Sequence, residues 1–215
     1  MNTNSEAIKI LCYGDSNTWG QNPSEERYPS NVRWTGVLQN LLGEDYEIIE
    51  EGLGGRTTIF DRPEKPGRNG KIYFLSCIKT HNPIDIVILA LGTNDFKLGD
   101  IKAEDVAKGN EELMKIIQEY GWNKDKKIPK IILVCVPNID ESNQYIIEKG
   151  MVGAEEKIKH LPSEMEKLAK KYNSGYLNLQ EIVEPSKKDG CHLEPEAHKK
   201  IAKALFDKIK EIKLN

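Results

Sequence analysis

Two groups in this chain have residue types and spacings that could do chemistry together. Ser16 lies in Gly14-Asp15-Ser16, and His192 lies in Asp189-Gly190-Cys191-His192 near the other end. A serine hydroxyl becomes a nucleophile when a base takes its proton, and the base works when a third group orients it. Three residues upstream in a turn, Asp189 can fold back and accept from Nδ1–H of His192. Nε2 is then free for the proton of Ser16. Taken singly, each motif has a plainer reading: Gly-Asp-Ser as a polar turn that caps a helix, Asp-x-x-His as a cap or a surface turn.

Acyl chemistry also needs donors for a developing oxyanion. The backbone N–H groups of Ser16 and Gly55 and the side-chain amide of Asn94 are the candidates. Each follows a predicted strand, so all three can lie on one edge of a sheet. Asp15 and Asp95 stand beside tight turns and read as anchors for nearby backbone N–H groups. Trp19 and Phe96 flank the motifs and are candidates to line a substrate pocket, with a core role as the alternative. His81, His160 and His198 fall on or beside predicted helices among polar neighbours and read as surface residues.

These residues must be held by the elements around them. Ile8–Cys12 is a short apolar run that ends at Gly14, the pattern of a buried strand. Four more strands are predicted at 46–50, 86–91, 131–136 and 176–179. Helices are predicted at 34–42, 72–81, 103–120, 154–172 with a break at Pro162, and 195–212. Residues 51–70 form a Gly- and Pro-rich connection too long to be a plain turn, which points to a functional loop. Strands that alternate with helices predict an α/β fold, a five-stranded parallel sheet with helices on both faces. No repeat or composition shift divides residues 1–215, so one domain is expected.

The chain has 215 residues and a formal net charge of −3, which leaves no basic excess for a phosphate backbone, so nucleic acid is not an expected partner. No apolar run approaches the ~20 residues of a membrane span, and the start carries no leader pattern. Cys12, Cys77, Cys135 and Cys191 are too scattered for a metal site and read as reduced thiols. A cytoplasmic protein without a metal or cofactor is the expectation.

Together the motifs resemble the GDSL/SGNH hydrolase family. Its four blocks have counterparts, in order, in Gly14-Asp15-Ser16, Gly55, Gly92-Thr93-Asn94-Asp95 and Asp189-Gly190-Cys191-His192. The stretches 14–20, 32–38 and 50–58 are similar to the arylesterase/acyltransferase branch. The resemblance implies a flavodoxin-like three-layer sandwich, a Ser16–His192–Asp189 triad and an oxyanion hole from Ser16, Gly55 and Asn94. It also implies hydrolysis of small, acetyl-type esters through an acyl-enzyme, with transfer to alcohols and a homo-oligomer left open. Three departures are visible: Asn17 replaces the name-giving leucine, the loop 21–30 is shorter than in the acyltransferase branch, which leaves oligomer and acyl transfer open, and Glu194 stands where threonine is common, which predicts a weaker cap on the last helix. The alternatives are a carbohydrate O-acetyl esterase with the same triad, and a flavodoxin-like phosphate- or nucleotide-binding module built on Ser16, Asn17 and Thr18.

Overall fold

Ile86–Ala90 carries no polar side chain, and it becomes the middle strand of the sheet. The computed structural model describes residues 3–212. Its strands are β1 (Ile8–Gly14), β2 (Tyr46–Gly52), β3 (Ile86–Ala90), β4 (Lys130–Cys135) and β5 (Gly175–Asn178). They pair in the order β2-β1-β3-β4-β5, and every pairing is parallel.

The helices are α1 (Ser16–Trp19), α2 (Trp34–Leu42), α3 (Gly70–His81), α4 (Ala103–Tyr120), α5 (Gln144–Glu148), α6 (Ala154–Ile158), α7 (Leu161–Tyr172) and α8 (Pro195–Glu211). Single 3-10 segments span Thr93–Lys97 and Leu179–Glu181. α2 and α8 cover one face of the sheet, and α3, α4 and α7 cover the other. Leu11, Tyr13, Leu89 and Leu133 point to the α3/α4/α7 side, while Ile10, Cys12, Ile88 and Val134 point to the α2/α8 side. The inner strands are buried on both faces, so β3 and the stretches 10–13 and 131–135 read as apolar runs, whereas the edge strand β2 is half-buried and carries Glu47, Glu50 and Glu51. Each such side chain contributes about 1.5–3 kcal/mol by leaving water. No helix among the described residues is long and apolar enough to cross a membrane.

Strand order reverses at β1, with β2 on one side and β3 on the other. The crevice beyond the carboxyl ends of the strands at such a point is where open parallel sheets bind ligands. Ser16 follows β1, Gly55 follows β2 and Asn94 follows β3, so the sheet delivers all three to that crevice.

The predicted helices and strands all form, with ends shifted by one or two residues. α1 and α5 were not expected, because five residues or fewer carry no helical period. The 51–70 connection is an ordered loop: Thr57 Oγ1 donates to the Phe60 carbonyl at 2.6 Å, and Asn69 Nδ2 to the Ile59 carbonyl at 2.7 Å.

Two histidine readings need correction. His198 is fully buried, and its Nδ1 accepts from the Trp34 N–H at the start of α2 at 3.3 Å. Burial first, then the charges of Arg33 and His192, push its pKa down to about 4. The α2–α8 contact encloses it, which a polar flanking sequence does not reveal. His81 is half-buried and hydrogen-bonded to Glu51 Oε1 at 2.9 Å. His160 is exposed, as expected.

Candidate active site

β1 ends at Gly14, and Asp15 caps the single turn α1 by accepting from the Asn17 N–H at 3.0 Å. Ser16 is therefore the first residue of a helical turn. Its N–H points forward from the helix start, and it has no acceptor among the described residues. The Ser16 side chain meets the loop before α8. His192 Nε2 lies 3.1 Å from Ser16 Oγ, and His192 Nδ1 lies 2.6 Å from Asp189 Oδ2. Asp189, an acceptor, fixes the proton on Nδ1, so Ser16 Oγ–H donates to Nε2. All three side chains are buried, at 7%, 4% and 2% exposure for Ser16, His192 and Asp189.

The second oxygen of Asp189 holds the loop itself. Oδ1 accepts from the Cys191 and His192 N–H groups, each at 2.9 Å. Burial pushes the Asp189 carboxyl up, and the hydrogen bonds from the His192 ring and the two N–H groups outweigh it, so it stays below its ordinary value. The loop is closed further by the Gly190 N–H to Ser186 O at 2.7 Å and the Asp140 N–H to Gly190 O at 2.8 Å. Gly190 has φ +69°, and a Cβ there would meet Asp140 O at 2.5 Å. Glu194 opens α8 without a side-chain cap bond; its carboxylate accepts from Ser186 Oγ at 2.7 Å instead.

Ser16, Gly55, Asn94 and His192 border one cavity of about 210 Å³. Gly55 takes φ +78°, a conformation glycine adopts freely, and its N–H has no acceptor among the described residues. Asn94 Nδ2 donates one hydrogen to Arg56 O at 3.1 Å and keeps the other for the cavity. Arg56 is the brace of this region: it is 3% exposed, donates to Gly14 O at 2.9 Å, and lies 4.0 Å over the Tyr13 ring. It ties the residue before the serine turn to the loop that carries Gly55. Asp95 accepts from the Thr58 N–H at 3.1 and 3.2 Å and from Thr58 Oγ1, as an anchor should. Its burial, the largest influence, pushes its pKa up to about 7. Burial, the largest influence, also raises Asp15.

Trp19 and Phe96 are not brought to the cavity. Phe96 is 2% exposed and packs in the α4 side of the core. Trp19 is half-buried, with the Arg27 guanidinium 5.0 Å from its ring. In their place stand Tyr145, whose ring is 5.9 Å from that of His192, and Met151 and Cys191. Tyr145 comes from α5, which no sequence period marks. Burial pushes the Cys191 thiol up to about 12, so it is no rival nucleophile. A larger cavity of about 650 Å³ lies along the outer edge of β2, between Arg33, Gln39 and Glu47, and does not include Ser16. Glu51, Cys77 and His81 could together hold a metal ion, but burial raises Cys77 to about 12 and none of the three borders the Ser16 cavity.

A three-layer α/β sandwich with Ser, Gly, Asn and His on one rim is the architecture of the carboxylic ester hydrolases of the SGNH type. Residues 12–200 match the GDSL-like Lipase/Acylhydrolase family, and the chain belongs to it. The M. smegmatis aryl esterase in its native form is similar at 33% identity and TM-score 0.90, over 96% of this chain and 100% of that one. Est24, a carbohydrate acetylesterase from Sinorhizobium meliloti, is similar at 31% identity and TM-score 0.87, over 95% and 99%. The Bacillus subtilis protein named uncharacterized lipoprotein YqeF is 25% identical over 138 residues, 63% of this chain and 51% of that protein. The chain thus matches about half the length of that curated relative.

Proposed function

We propose that the protein hydrolyses small carboxylic esters by a serine acyl-enzyme route. The observation that carries this reading is the hydrogen-bonded line Ser16–His192–Asp189, at 3.1 and 2.6 Å, opening into a cavity ringed by unused donors. Ser16 Oγ attacks the ester carbonyl carbon as His192 Nε2 takes its proton. The carbonyl oxygen becomes negative and accepts from the N–H of Ser16, the N–H of Gly55 and the free Asn94 amide hydrogen. Asp189 stabilises the imidazolium and holds the tautomer. The C–O bond to the alcohol breaks, and the proton on Nε2 leaves with that alcohol. Water, or a second alcohol, then gives its proton to His192 and attacks the acyl carbon; the bond to Ser16 Oγ breaks, and His192 returns the proton to Ser16 Oγ. A cavity of about 210 Å³ favours a short acyl group such as acetyl. Buried, unpaired cysteines support a reducing location such as the cytoplasm.

The test is turnover of p-nitrophenyl acetate by the wild type, Ser16→Ala and His192→Ala. A loss of about 10⁴-fold or more in each variant, with unchanged circular dichroism, is expected. Equal turnover by all three would sink the mechanism. The likeness to Est24 favours one finer reading, a carbohydrate O-acetyl esterase, and faster turnover of acetylated sugars than of aryl acetates would support it.

A further inference from the structure

The Ser16 cavity is basic, although the chain as a whole carries a net charge of −3. Lys65, Arg68, Lys97 and Lys149 border it, with Glu25 as the facing acid. Glu25 is already bound to Lys149 at 2.9 Å. Among the described residues, no carboxylate lies within ion-pair distance of Lys65, Arg68 or Lys97. A fifth cation, Arg62, stands beside them. Its Nε and Nη2 bind Glu64 at 2.8 and 2.6 Å. Its Nη1 is buried and has no acceptor, and the Nε of Arg68 is in the same state.

Both orphaned guanidinium atoms flank the candidate oxyanion donor Gly55. A Cβ built there would lie 3.5 Å from Arg62 Nη1 and 3.7 Å from Arg68 Nε. Arg62 is 9% exposed, and Arg68 is fixed through its carbonyl, which accepts from Thr57 N and Oγ1 at 2.9 and 3.1 Å. Arg68 also borders an adjoining cavity of about 370 Å³ that Arg62 lines. Asp61 lies in that cavity and accepts from Asn69 Nδ2 at 3.0 Å. A buried guanidinium N–H without an acceptor is destabilising, and like charges crowd one another. The repulsion shows at Lys97, where burial first, then Arg62 and Lys65, lower the pKa. A carboxylate or phosphate relieves both effects by supplying several acceptors and opposite charge.

We propose that Arg62, Arg68, Lys65 and Lys97 form an anion subsite beside Gly55, so that the preferred ester carries a carboxylate or phosphate close to its scissile bond. As a substrate assignment this rests on the esterase reading above; as a binding site it does not. Two measurements separate them. Ser16→Ala protein is titrated with inorganic phosphate and with succinate by calorimetry, alone and with Arg68→Gln and Lys97→Gln added. Saturable, salt-sensitive binding that weakens about tenfold or more with the added substitutions is expected. No saturable binding of either anion overturns the subsite whatever the esterase assays give. In parallel, wild type and the Arg68→Gln/Lys97→Gln protein are assayed on mono-4-nitrophenyl succinate and 4-nitrophenyl acetate. The ratio of kcat/KM, anionic over neutral, is expected to fall about tenfold or more. An unchanged ratio, with kcat lowered alike on both esters, overturns the subsite and makes these cations general stabilisers of the oxyanion. Anion binding without turnover of any ester would instead leave the subsite standing and defeat the esterase mechanism.

Discussion

Replacing Asn94 by alanine removes one of the three donors aimed at the cavity and leaves the nucleophile, base and orienting acid in place. One oxyanion donor contributes about 3–4 kcal/mol to the transition state, so kcat should fall roughly 10²- to 10³-fold. KM should move little, because the donors meet the oxygen only as it becomes negative. The same substitution strips Arg56 O of the hydrogen bond from Asn94 Nδ2, 3.1 Å long in the native site. A buried carbonyl left unpaired costs about 1–3 kcal/mol, which should appear as an earlier urea midpoint with an unchanged slope. Steady-state kinetics on p-nitrophenyl acetate and a urea melt read the two effects separately. If kcat stays within a few-fold of wild type while the melt shows the stability loss, Asn94 is a structural brace and the oxyanion assignment is refuted.

Asp189→Asn should lower kcat by about 10⁴-fold, because an amide can donate to Nδ1 and turn the imidazole to the wrong tautomer; stopped or steady-state turnover at pH 8 checks this. Gly190→Ala should destabilise by about 1–3 kcal/mol and reduce turnover, since φ +69° and the 2.5 Å approach to Asp140 O leave a Cβ no room; an unaltered thermal midpoint would contradict it. His198, lowered from 6.5 to about 4, binds its proton less tightly in the folded chain than in the unfolded one. Its contribution is therefore present above pH 6.5 and is lost as pH falls toward 4, up to ~3 kcal/mol. Asp95, raised from 3.8 to about 7, acts in the opposite sense over much of that range, its effect on stability growing less favourable as pH rises. The difference in urea stability between wild type and His198→Gln, followed from pH 7 to pH 4, isolates the histidine; a difference that does not change with pH would exclude it as the titrating group.

Ser16, Asp189, His192, Gly55 and Asn94 were legible because four short motifs occur in the order of one family, each at the end of a predicted strand or before a predicted helix, although each alone had a plainer reading. A glycine after an apolar run turns the chain, and an aspartate three residues before a histidine can reach its ring. The alternation of apolar runs with 3.6-period segments likewise gave the parallel sheet and the strand ends that face one way. Trp19 and Phe96 show the limit. Proximity in sequence to a motif says nothing about which side of the sheet a side chain faces, and Phe96 falls on the α4 side, inside the core. His198 fails for a related reason: two helices far apart in sequence, α2 and α8, close over it.

The sequence, through the order of its motifs and their resemblance to one family, pointed to Ser16, His192 and Asp189, to the candidate donors Gly55 and Asn94, and, through its burial period, to the fold that aligns them. Only the tertiary structure decided what surrounds the serine. Tyr145 from α5, Lys149 and Arg68 meet at the cavity, with the Arg62 guanidinium beside Gly55, from segments with no period and no motif. Their positions are set by loop closure across the sheet edge, through bonds such as Thr57 to Arg68 and Asp140 to Gly190, and long-range contacts of that kind leave no trace in local spacing.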